Sequence, residues 1–305
     1  MPLCDGDILS LLRVRNLLFK NNSINKIVVG SYIMVCENSE NPLLLIKNNR
    51  KNMLVLISSA KTMTLSSKIS LKQSSVPQFE DQAKEIAIHM AQFTPEELKR
   101  IFKVSSKLAV ENYHRYRNFF SSEQPSLQAL LAYTGVVYRN MGLANFTESD
   151  FLYTQKHLRL GSGMYGLLRP FDLIHPYRME YDVKLPEFGN NNMYPYWKDR
   201  LTEQLILDVK EAGGVLVNLA ASDVIPSFHW KEVEKEVRVI TPYFKLWKEE
   251  KLKAIVIYLK MARGKMTRHI LKNRIENPEG LKNFVWEGFE FDPELSDENN
   301  WMFVG

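Results

Sequence analysis

Residues 157–181 constrain this chain more than any other stretch. Gly161, Gly163, Gly166, Pro170 and Pro176 fall within them, so no long helix can run through. The same residues include Arg159, Arg169 and Arg178, whose planar forks of N–H donors suit phosphate or carboxylate. Two readings follow. A glycine hairpin between two helices would offer unpaired backbone N–H groups to an anion, with Gly163 and Gly166 permitting close approach. A tight helix–helix corner, its arginines paired with Asp172, Glu180 and Asp182, would need no ligand. The run Gly161-Ser-Gly-Met-Tyr-Gly166 also fits G-x-G-x-x-G, but its setting excludes a dinucleotide loop. Residues 151–160 read as a charged helix rather than a central strand, and Pro170 stops the helix that should follow.

Upstream, Met53-Leu-Val-Leu-Ile57 is an apolar run of strand length, followed at once by Ser58-Ser59-Ala60-Lys61-Thr62. Residues 1–52 differ from the rest: they are rich in asparagine and hold both cysteines, Cys4 and Cys36. Helical periodicity there is limited to residues 8–12, and strand character over 26–36 is weak. An N-terminal extension over 1–52 is therefore expected, with the folded unit over 53–305. Downstream, a helix is predicted over 78–92. Thr94-Pro95-Glu96-Glu97 starts another with a capping box, running to about residue 108, and a third covers 110–120. Residues 129–133 lead to a turn at Gly135, and Thr147 caps a helix that feeds the glycine-rich stretch. A helix over 197–210 ends at Gly213 and Gly214, and strands are predicted over 215–220, 237–240 and 254–259. Strands alternating with helices imply one mixed α/β (α+β) unit.

Charge is modest overall, with 40 basic against 35 acidic side chains. Its placement says more. Residues 260–274 hold Lys260, Arg263, Lys265, Arg268, Lys272 and Arg274 with no acid. At helical spacing Lys265, Arg268 and Lys272 share one face and Ala262, Met266 and Ile270 another, and the basic face suits phosphates. A plain solvated basic face is the alternative. Lys260 and Arg263 are expected at a strand-to-helix junction, where α/β sites form. Lys61, at the exit of the first strand, can hold a phosphate without the glycines of a P-loop. With Asn218 and Asp223 at another strand exit, Lys61, Lys260 and Arg263 are the groups expected to converge. Lys61, Glu180 and Asp223 are the candidates for proton transfer. His157, His175, His229 and His269 lack metal-ligand spacing, so no metal or cofactor is expected. The chain has no apolar run near the roughly 20 residues of a membrane span and no secretory leader, which points to the cytoplasm.

In several of these segments the chain resembles the YaaA-type peroxide stress proteins. Ser58-Ser59-Ala60-Lys61-Thr62 is similar to a family motif that follows its first strand; Lys107-Leu-Ala109, Asn112 and Arg115 match a second. The longest signature lies at 157–180, from His157-Leu-Arg through Ser162-Gly, Tyr165-Gly, Leu168-Arg-Pro and Asp172-Leu to Pro176-Tyr-Arg and Glu180. Asn218-Leu-Ala220, residues 262–268, Asn273-Arg274 and residues 288–292 complete the order. The chain departs from the pattern at Ser59, Val136, Gly161, Ala221 and Val224. The resemblance implies the family's "cantaloupe" fold, with a helix-hairpin-helix-like DNA-binding element placed around residues 160–166 and flanked by Arg159 and Arg169. It also implies a cytoplasmic role in the response to hydrogen peroxide, limiting free iron and oxidative damage to DNA. The expected partner is duplex DNA with little sequence preference, bound by a monomer off the membrane. Its phosphates would meet Lys61, Arg159, Gly163, Gly166, Arg169, Arg178, Lys260, Arg263, Lys265, Arg268 and Lys272. The alternative is an enzyme acting on a nucleotide or damaged nucleic acid at the same phosphate site.

Overall fold

The structure, a computed structural model, describes residues 52–189 and 191–305 and three strands upstream of them. The chain divides into two units, Met1–Arg50 and Lys51–Gly305. In the first, strands Asn25–Val29 (β1), Tyr32–Cys36 (β2) and Leu44–Lys47 (β3) pair antiparallel in that order. The strand character of residues 26–36 is thus realised, whereas the periodic residues 8–12 lie outside the described residues.

In the second unit the strands are Met53–Ser58 (β4), Leu127–Gln128 (β5), Leu158–Ser162 (β6), Gly166–Leu168 (β7), Leu173–Ile174 (β8), Val215–Asn218 (β9), Arg238–Lys248 (β10), Lys251–Lys253 (β11), Glu290–Asp292 (β12) and Asn300–Val304 (β13). Its helices are Glu80–Met90 (α1), Pro95–Phe102 (α2), Ser106–Arg117 (α3), Ala129–Ala132 (α4), Val136–Met141 (α5), Glu148–His157 (α6), Met193–Ala212 (α7), Trp230–Glu236 (α8) and Val256–Asn273 (α9). This is a mixed α/β architecture. The main sheet has the order β12-β13-β10-β9-β4-β6-β7, with β11 folded back on β10. From β13 to β6 every pair is parallel, and the antiparallel strands β12 and β7 close its ends.

Why β4 sits in the middle is plain from its composition. Met53 to Ile57 are all buried, so both faces of the strand are covered, as a parallel sheet requires. Helix α7 packs on β4, β7 and β9, α6 packs on β4, and α9 packs on β10 and α5. The chain leaves β4 for β6 on one side and later returns to β9 and β10 on the other. The strand order therefore reverses about β4, and in open α/β sheets a crevice forms beyond the carboxyl ends at such a point.

Four local expectations are corrected. The stretch at 157–168 is not a helix-hairpin-helix element: α6 ends at His157, the chain passes straight into β6, and β6 and β7 form an antiparallel hairpin buried at every position. Leu158 to Ser162 are accordingly a central strand and not the end of a charged helix. A charged residue is tolerated there because Arg159 meets Asp208 at 2.5 Å. Gly166 takes φ +67°, and a Cβ on it would lie 2.7 Å from the Trp197 ring. The helix capped by Thr94 has its capping box but stops at Phe102, because Lys103 turns left-handed at φ 51° and Ser105 caps a new helix. Residues 254–259 are not a strand. Strand β10 runs eleven residues and reverses through Glu249 and Glu250 into β11, which leaves Val256, Ile257 and Tyr258 as the exposed first turn of α9.

Candidate functional site

Beyond the carboxyl ends of β4, β6 and β9 lies a cavity of about 420 Å³. Ser58 to Thr62 enter it from β4, Gly163 from β6, Leu219, Ala221 and Asp223 from β9, and Lys260 and Arg263 from the second turn of α9. Hydrogen bonds hold these exits together: Ser59 N–H donates to the Gly161 carbonyl and Ala221 N–H to Ser58 Oγ, each at 2.8 Å. Tyr138 on α5 donates its hydroxyl to the Ser58 carbonyl at 2.9 Å. Tyr138, Tyr177 and Tyr181 form one wall, and the Tyr177 hydroxyl lies 2.6 Å from both Ser162 Oγ and the Tyr133 hydroxyl. Burial pushes the pKa of all four phenols up; Tyr133, Tyr138 and Tyr177 are hydrogen-bonded, whereas the Tyr181 hydroxyl is buried without a partner.

A second cavity, of about 750 Å³, shares Lys61, Arg178 and Glu180 with the first and adds Arg100, Lys103 and Lys184. The two make one trough with Glu180 at its waist. Glu180 Oε1 accepts from Arg178 at 2.6 Å and meets Lys61 Nζ at 3.1 Å. The Glu180 side chain is 17% exposed and that of Lys61 65%, so Lys61 is free to leave for a ligand while the carboxylate is fixed. Glu180 Oε2 and Arg178 Nε are buried without a hydrogen-bond partner. Arg263 is half-buried and makes no ion pair among the described residues; burial lowers its pKa, opposed by the Asp223 carboxyl and the Tyr243 hydroxyl. Arg139 completes the lining. Eight cationic side chains thus face four carboxylates (Glu97, Glu180, Asp182 and Asp223) along the trough.

Of the residues expected at a phosphate site, the fold brings together Lys61, Gly163, Arg178, Lys260 and Arg263, with the proton-transfer candidates Glu180 and Asp223 beside them. The others are placed elsewhere. Arg159 is buried on Asp208 and donates to the Leu158 carbonyl at 2.9 Å. Arg169 pairs with the fully buried Asp172 at 2.9 Å and reaches the Val76 carbonyl at 2.7 Å. Arg268 closes the end of α5 by donating to the Met141 and Gly142 carbonyls at 2.9 and 2.7 Å. Lys272 binds the Asp150 carboxylate and the Asn145 carbonyl. Lys265 lines neither cavity, Gly166 is packed under Trp197, and Asn218 faces Thr241 within the sheet. The corner reading therefore describes the Arg169–Asp172 and Arg178–Glu180 pairs, and two of the three expected cations of the α9 face are tied to α5 and α6. Lys260 and Arg263 lie inside a helix and not at a strand junction. Gly264 does permit close approach, but to a helix: a Cβ there would lie 2.2 Å from the Val137 carbonyl oxygen.

Sequence reasoning missed Arg100, Lys103, Arg139, Lys184 and the tyrosine wall. No local pattern marks them, since only the folding of α2, α5 and the 177–184 segment around Lys61 brings them to one place. Among the described residues no three His, Cys, Asp or Glu side chains come together as a metal site.

A family model described as Peroxide stress protein YaaA matches residues 53–295. The chain belongs to the YaaA peroxide stress protein family. Every residue that lines the trough lies within the matched span of this YaaA-family chain. A UPF0246 protein of Parabacteroides distasonis is 56% identical over 252 residues, which cover 83% of this chain and 99% of the relative. A UPF0246 protein of Bacteroides fragilis is 55% identical over 252 residues, covering 83% and 98%, and one of Bacteroides thetaiotaomicron is 53% identical over the same length and shares. The family's description gives this YaaA-type protein a general role in stress. Among the described residues no helix is long and apolar enough to cross a membrane.

Proposed function

We propose that this protein binds duplex DNA by its phosphates along the trough, with little preference for sequence, and limits oxidative damage to DNA under peroxide stress in the cytoplasm. The observation that carries this reading is the lining of the trough, eight cations against four carboxylates, in which Lys61, Lys260 and Arg263 have room to meet a polyanion. Release of counterions from DNA drives such binding, so affinity falls steeply with salt. Replacing Lys61, Lys260 and Arg263 together by Ala is expected to weaken duplex binding and to flatten the slope of log affinity against log salt by about 0.9 for each phosphate no longer neutralised. An unchanged slope would overturn the reading.

A second reading is an enzyme acting on a nucleotide or damaged nucleic acid. The buried, unpartnered Glu180 Oε2 and Arg178 Nε favour it, because the carboxylate can take a proton while the guanidinium holds an anion. Incubation with abasic, oxidised and intact DNA tests it: turnover of one of these, lost in Glu180→Gln, is the expected result, and no turnover of any sets it aside.

A further inference from the structure

Strand β10 continues beyond the end of its partner β9, and its outward side chains there alternate ring and cation. Tyr243, Lys245 and Trp247 stand two residues apart, so they share one face, while Phe244 on the opposite face is buried. Trp247 is 59% exposed and Tyr243 44%, whereas Trp197 and Trp301 are buried. The rings are not isolated from the trough. Helix α9, which carries Lys260 and Arg263, packs on β10. On α9, Val256, Lys260 and Arg263 recur at helical spacing, so one helix face runs from the cavity out to the exposed first turn. An indole, two phenols and two aliphatic side chains are thus exposed on two elements that pack against each other.

The charge around these rings selects the occupant. Lys245, Lys248 and Lys251 make no ion pair among the described residues, while Lys253 is held by Glu249 at 2.8 Å. Paired DNA keeps the faces of its bases inside the helix, and exposed rings gain nothing from it. A single strand offers free base faces alongside a phosphate backbone, and aromatic side chains set among lysines hold both. A lipid surface would find cations at alternate positions of β10 where it needs a continuous apolar face.

We propose that the face of β10 carrying Tyr243 and Trp247, with the first turn of α9, is a stacking platform for the unpaired bases of single-stranded DNA. The strand's backbone then passes over Lys260 and Arg263 into the trough, so this inference rests on the DNA-binding reading above. Binding of an oligothymidylate to the full chain, followed by anisotropy and by quenching of intrinsic tryptophan fluorescence, tests it. Trp247→Ala is expected to weaken oligothymidylate binding about tenfold and to leave duplex affinity unchanged. Trp247→Phe keeps a ring to stack on, and is expected to retain most of the affinity while losing the quenching. If the wild-type protein binds neither DNA, the trough reading fails and this one with it. If it binds duplex as expected but Trp247→Ala binds oligothymidylate like the wild type, only the platform is overturned. Vesicles of anionic phospholipid are the control: binding to them that depends on Trp247, without oligothymidylate quenching, assigns the face to a membrane and also overturns the proposal.

Discussion

Asp150 shows how a buried carboxylate can be occupied entirely with structure. It completes the capping box of α6 with Thr147 and also accepts from Lys272 of α9, fastening one helix to the other. Burial alone would raise its pKa, but the Lys272 hydrogen bond and the Thr147 donors outweigh that and bring it down to about 2. A carboxyl lowered in the folded state stabilises it above the unfolded value near 4, and the contribution is lost as pH falls from there towards 2. Lys272→Met is therefore expected to cost about 2 kcal/mol at neutral pH, with the deficit shrinking below pH 4. Urea denaturation of both proteins at several pH values checks this; a deficit that does not depend on pH would refute it. Arg159 makes the same point about basic residues. Truncation to Ala strands the buried Asp208 and is expected to cost about 3–5 kcal/mol while the duplex affinity of the folded protein stays unchanged. Equal stability with weakened binding would return Arg159 to the site. In sequence, the arginines at 159, 169 and 178 look alike; Asp172 and Glu180 stand within three residues of the arginines they meet, whereas the partner of Arg159 is fixed by tertiary packing. Asp208, which decides the role of Arg159, stands 49 residues away.

At the scale of elements, the helix starts with capping boxes and the stop at Gly213 were legible, whereas the start of α7 at Met193 and the stop of α2 at Phe102 were not. Thr94 and Thr147 both form the capping boxes their sequences announce, since a cap is a contact within four residues. The stop at Lys103 carries no glycine or proline to signal it, and the β6–β7 hairpin is specified by its burial beneath α7. Gly264 has its meaning only between α9 and α5, and its substitution gives a test with a definite sign. Helix propensity alone would make Gly264→Ala stabilising by about 1 kcal/mol. The added methyl would instead press on the Val137 carbonyl and on Asn140, so a net loss of about 1–3 kcal/mol is expected. Val136, Val137 and Tyr138 of α5 also wall the cavity, so the displacement is expected to weaken duplex binding too. Thermal melting and a binding titration on Gly264→Ala check both outcomes, and a rise in melting temperature would show that the two helices separate freely.

At the scale of the whole molecule, the site is a consequence of strand order. The sequence places Lys61, Asp223 and Lys260 in three distant segments, each beside an apolar run, and their convergence depends on β9 and β6 flanking β4. Nothing in any one segment encodes that order, so the alternation of elements was legible while the reversal about β4 was not. The same order bears on residues 1–52. The sheet, its helices and the trough belong to the unit Lys51–Gly305, and β4 starts with Met53 already buried. The Met53 carbonyl is bonded to His157 Nδ1 at 3.0 Å, so the first residue of the strand is fastened to α6 from within that unit. We propose that residues 1–52 add nothing to the core or to the trough of this unit. A chain beginning at Met53 is expected to melt at the same temperature as the full chain and to bind duplex DNA with the same salt slope. A large drop in melting temperature would show that the upstream unit supports the fold, and a flatter slope at unchanged stability would show that it supplies cations of its own to the DNA.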